Sequence, residues 1–73
     1  MRRVGTVERV AQGVAVARAA DDDPPEAGTE VVDESLEAVG RVVSVFGPVE
    51  RPYVAVAPDG DPAALFDEVL YAR

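Results

Sequence analysis

Carboxylates are the chain's largest stock of groups that could do chemistry: 14 Asp and Glu against seven arginines, with no histidine and no cysteine. Two clusters invite a test. Asp21, Asp22 and Asp23, with Glu26 nearby, have the hard oxygen donors that Mg²⁺ or Ca²⁺ prefers. They lack the alternating ligand spacing and central glycine of a calcium loop, so the reading is a solvated acidic loop and no metal site. Asp33, Glu34 and Glu37 could pair as general acid and base. Nothing in the sequence separates their ionisation, and exposed turn residues are expected. The missing Cys and His exclude the usual zinc ligand sets and histidine-activated nucleophiles. "PDGDP" at 58–62 is an ordinary turn, and no phosphate-cradling glycine fingerprint is present. The sequence therefore points to no catalytic residue, no metal and no cofactor.

One other stretch has the residue types of a binding site. "VFGPVERPYVAV", Val45–Val56, places two prolines around a short loop between two apolar runs. Hairpins more often turn on Asn-Gly or Asp-Gly. Pro48 and Pro52 fix their own φ and bias Gly47 and Arg51 toward extended shapes, so the loop has little freedom left to lose on binding. Phe46, Val49 and Tyr53, with Arg51 among them, are of the kinds that anchor interfaces. A stiff loop whose aromatics plug the end of a barrel would read the same way. What favours a partner is "VGRVVSVFG": Val39, Arg41, Val43 and Val45 fall on one face, Val42, Ser44 and Phe46 on the other, and both faces are largely apolar. A small barrel has one interior, so the second face needs a cover. Phe46, Gly47, Pro48, Val49, Arg51, Pro52 and Tyr53 are the expected partner-binding residues.

The elements that must position this loop are short strands. Arg3–Val10 alternates in strand fashion, with Val4, Thr6, Glu8 and Val10 on one face and Gly5, Val7 and Arg9 on the other. Ala11–Gly13 is a turn, and Val14–Arg18 completes a hairpin. Residues 19–28 form an acidic loop in which Pro24 and Pro25 block helix and ladder alike. Thr29–Asp33 is a third strand. A compact turn follows, and Gly40–Phe46 is the longest strand. Pro52–Ala57 and Val69–Ala72 complete the set, with one helical turn over Pro62–Glu68 started by Pro62. Six short, valine-rich strands in one domain, residues 1–73, are expected to form an all-β fold closed into a small barrel, which removes exposed edges.

Composition bounds the rest. The net charge is −7, every basic residue is arginine, and 15 Val and 12 Ala dominate the apolar set. Surface carboxylates keep a protein soluble when salt screens other charge, so an acidic, lysine-free chain suggests a salt-loving source with a GC-rich genome. The arginines are scattered along the sequence without a basic stripe, which argues against direct, tight nucleic-acid binding. No apolar run nears the roughly 20 residues that cross a bilayer. Gly5, Thr6, Glu8 and Arg9 break any signal-peptide core in "MRRVGTVERV". A soluble, cytoplasmic protein with no membrane partner is expected.

At this point the residues resemble a known family. "VFGPVERPYVAV" after "VGRVVS", with "RRVGTV" at 2–7, "VVDESLEAVGRV" at 31–42 and "EVLY" at 68–71, looks like the archaeal form of the Gar family, the glycine-arginine-rich-protein subunit of box H/ACA ribonucleoproteins. The specific element is F-G-P-V-x-x-P-Y, Phe46 to Tyr53. With the acidic composition, the likeness suggests a haloarchaeal source. It implies a six-stranded split β-barrel of the reductase/elongation-factor type. It also implies a non-catalytic subunit that docks on the pseudouridine synthase catalytic subunit and assists RNA-guided pseudouridylation of ribosomal RNA, aiding substrate loading and release. Glycine-arginine tails and a basic C-terminal extension are absent from the sequence, and the 19–28 loop is unusually acidic. Guide RNA is accordingly expected to be contacted only indirectly or weakly. The alternative is a PRC-type ribosome-maturation barrel, which shares "VGRVVSV"-like strands but has no reason to carry G-P-V-x-x-P-Y.

Overall fold

Valine's branched side chain suits a pleated surface better than a helix, and the computed structural model, which describes residues 1–73, is built accordingly. Its strands are β1 (Arg2–Ala11), β2 (Val14–Ala19), β3 (Glu30–Val32), β4 (Ala38–Phe46), β5 (Tyr53–Pro58) and β6 (Val69–Ala72). All neighbours run antiparallel, and the ring closes in the order β1-β2-β5-β4-β3-β6. The expected all-β barrel is thus the observed fold. Strand limits differ from expectation by a residue or two, most at β4, which begins two residues before Gly40. The helical turn is a short 3-10 turn, Pro62–Leu65; Pro62 starts it and the Asp61 carboxylate accepts the Ala63 N–H at 3.0 Å.

The interior is filled by Val4 and Val7 of β1, Ala15 and Ala17 of β2, Val31, Val42, Val54, Val56 and Leu70, and Leu65 from the 3-10 turn. Leu70 is the largest fully buried side chain. Small residues on β2 opposite the larger ones elsewhere let so short a chain close a ring around a filled core. Two glycines are required by this closure: a Cβ on Gly5 would run into the Arg18 carbonyl on β2, and one on Gly40 into the Ala57 carbonyl on β5.

The face assignments from simple alternation need correction at two strands, for one reason. The register shifts between Arg3 and Gly5, and again between Val7 and Arg9, so β1 carries two bulges. Each extra residue turns the following side chains to the opposite face. Val4 and Val7, placed on opposite faces by alternation, are both in the core. A third bulge at Val43 separates Val42, which lies opposite Val56 inside the barrel, from Ser44, opposite Ala55. Val42 therefore does not share the face of Ser44 and Phe46.

Candidate docking site

The β4–β5 connection, residues 47–52, projects from the longest strand of the barrel. Gly47 opens it at φ +94°, a conformation costly for any residue with a Cβ. A Cβ there would also come within 2.9 Å of Cδ2 of Tyr53, so the missing side chain makes room for the ring. Tyr53 stacks on Phe46, its cross-strand partner, with ring centroids 5.5 Å apart and planes 25° apart.

The loop is bound back to β2 by groups far away in sequence. Arg18 donates from Nε to the Arg51 carbonyl at 2.9 Å, and from Nη1 to the Tyr53 hydroxyl at 3.0 Å. Its guanidinium carbon also lies 4.7 Å from the Tyr53 ring centroid, within cation–π range. Arg51 answers by donating from Nε to the Ala19 carbonyl at 3.0 Å, and the Ala19 N–H donates to the Pro52 carbonyl at 2.8 Å. Two prolines and these reciprocal bonds leave the loop pre-shaped.

The stiffened loop and the end of β4 that leads into it present apolar side chains to water. Val49 is 85% exposed, Val43 49%, Phe46 47% and Val45 38%. These four fall within residues 43–49, whereas the other exposed large apolar side chains, Met1, Leu36 and Phe66, are far apart in the sequence. Of the expected partner-binding residues, Phe46, Gly47, Pro48, Val49 and Arg51 lie at the surface and Tyr53 is half-buried. Pro52 is buried, so it stands behind the surface as a support. Its ring has no N–H to satisfy, which suits a position just before the β5 ladder begins. Arg18 was missed because its partners lie 33 and 35 residues away. The available signal was composition: Arg18 is the one charged residue in a strand otherwise made of valine and alanine, "VAVARA".

The acidic clusters have structural work. Asp21 accepts the Asp23 N–H at 2.9 Å, and Asp23 meets Arg2 at 3.4 Å in an exposed ion pair. Asp33 Oδ1 accepts the N–H groups of Ser35 and Glu37 at 2.8 and 3.1 Å, pinning the compact turn between β3 and β4.

A surface of this kind calls for a relative in which it is used. No curated protein matches the chain. A family model described as the Gar1/Naf1 RNA binding region matches residues 1–71, from the residue before β1 into β6. With nearly its whole length covered by that match, and with the six-stranded barrel in place, the chain belongs to the Gar1/Naf1 RNA binding region family.

Proposed function

We propose that this protein is a non-catalytic accessory subunit of an H/ACA ribonucleoprotein, docking on the pseudouridine synthase subunit through Phe46–Tyr53 and the adjoining Val43 and Val45. Membership of an RNA-binding accessory family fits the role. The observation that carries the docking surface is a loop both rigid and apolar, with Val49 almost fully exposed at its tip. Apolar side chains displayed on a braced loop gain by burial and lose little conformational freedom when a partner covers them. Once bound, the subunit assists loading and release of the RNA substrate by bearing on a mobile part of the enzyme, whose own aspartate performs the chemistry. The resemblance of F-G-P-V-x-x-P-Y supports this reading.

The test is co-purification with the synthase of the same organism, wild type against Val49→Asp. Because Val49 touches little of the barrel, the variant folds normally. A carboxylate forced into a dry contact without a partner costs on the order of 3–5 kcal/mol, so binding falls by more than about 100-fold. Undiminished co-purification of a folded variant removes the proposed surface.

A further inference from the structure

Folding brings together two exposed apolar side chains that are distant in sequence. Met1, 73% exposed, and Leu36, 54% exposed, line one open cleft of about 300 Å³ with Tyr71, Asp33 and Glu34. Tyr71 of β6 lies opposite Val32 of β3, so the last strand meets the turn that follows β3. The cleft and the docking loop are at opposite ends of β4. Nine residues of strand, at about 3.3 Å each, put roughly 30 Å between them. That is comparable with the molecule's longest dimension, 29 Å.

The β3–β4 turn holds Leu36 out into water. Its φ is +68°, a region that leucine enters only at a cost. Besides the Asp33 carboxylate, which caps the turn, three hydrogen bonds fix it. The Leu36 N–H donates to the Asp33 carbonyl at 3.0 Å, and the Asp33 N–H donates to the Glu37 carbonyl at 3.0 Å. From beyond β6, Nη2 of Arg73 donates to the Leu36 carbonyl at 3.1 Å. Glycine would occupy this position without strain. Leucine instead displays an apolar side chain on a braced turn, which loses little freedom when it is covered.

Charge says what covers it. The side chains on the cleft include two carboxylates and no cation, and Glu37 is exposed on the same turn. None of Asp33, Glu34 and Glu37 is in an ion pair; the two pairs present join Arg2 to Asp23 and Arg73 to Glu30. Arg3 lies opposite Tyr71 but lines a different cleft, with Arg18 and Arg51. Apolar ground flanked by unpaired carboxylates complements an apolar side chain set between lysines or arginines. A second copy of this chain would bring the same carboxylates face to face, and a phosphate would be repelled. We infer that the Met1, Leu36 and Tyr71 cleft docks a basic protein segment with an apolar residue between cationic ones. It does so independently of the Phe46–Tyr53 loop, so the barrel joins two proteins, one at each end of β4.

The test is titration of the ¹⁵N-labelled full chain, at about 0.1 M KCl so that charge is only partly screened, with a synthetic peptide of one leucine flanked on each side by two lysines. Expected are saturable amide shifts at Asp33, Glu34, Leu36 and Tyr71. Leu36→Gly folds, because glycine suits the positive φ, and should weaken binding by about tenfold or more, as for the loss of one buried aliphatic side chain. Glu34→Gln should also weaken it, whereas Asp22→Asn, which removes equal charge elsewhere, should not. A peptide of lysine alone should bind more weakly, and one with glutamates in place of the lysines should not bind. Absence of saturable shifts at millimolar peptide overturns the inference. So does equal binding of the lysine-only peptide, wild-type binding by Leu36→Gly, or self-association of the chain through Leu36 without peptide. Val49→Asp should bind the peptide unchanged, and Leu36→Gly should still co-purify with the synthase, so failure of one surface is told apart from failure of the other. Loss of the synthase by Leu36→Gly would assign the cleft to that interface and overturn its independence.

Discussion

Gly47 decides the shape of the loop at a single position. Any side chain there meets two separate penalties: a φ of +94°, and a tyrosine ring 2.9 Å away. Gly47→Ala should therefore lose about 1–2 kcal/mol from backbone strain, with Tyr53 displaced from its stack on Phe46. Urea unfolding should show a lower midpoint at unchanged slope, and the Tyr53 ring signals should move. The residue types of this loop were readable from the sequence, because prolines, aromatics and glycine act locally. Arg18 was not, since what it does is set by cross-strand register.

Strands divide their aliphatic side chains between two unlike roles. Leu70, on β6, is fully enclosed, whereas Val43 sits at a bulge and is half open to water. Leu70→Ala should lose about 2–5 kcal/mol by removing buried methyl groups and leaving a cavity. A domain of this size has only about 4–10 kcal/mol in total, so thermal unfolding should begin near ambient temperature. Val43→Ser should change stability by no more than about 0.5 kcal/mol while weakening synthase binding. Calorimetry of both variants checks the contrast. Strand number and approximate limits were legible from valine runs punctuated by glycine, proline and aspartate. The faces were not: bulges in β1 and β4 reset alternation, and a bulge has no reliable signature within one strand. Val7 was thus assigned to the face opposite Val4 although both fill the core.

Across the whole molecule, charge is poorly compensated. Only two ion pairs offset 14 carboxylates, and both are partly or largely exposed. Mutual repulsion among the remaining acids opposes compaction, and dissolved salt screens it. The melting temperature should rise as KCl increases from low to molar concentration. A gain of about 1 kcal/mol would correspond to roughly 4–8 °C. A flat profile would remove the inference of a salt-loving source. Net charge was fully legible in the composition. The approach of Arg3, Arg18 and Arg51 to one cleft was not, because that cleft is assembled from β1, β2 and the loop before β5.

The ring has an order of assembly built into it. β6 sits between β1 and β3, and both of those precede it along the chain. A ribosome making this protein has thus delivered five of the six staves before the one that shuts the cask. During that interval the flanks of β1 and β3 are open to any passing strand, and β6 can seal only two residue pairs against β3. The nascent chain must therefore carry two open flanks until β6 has emerged to close them.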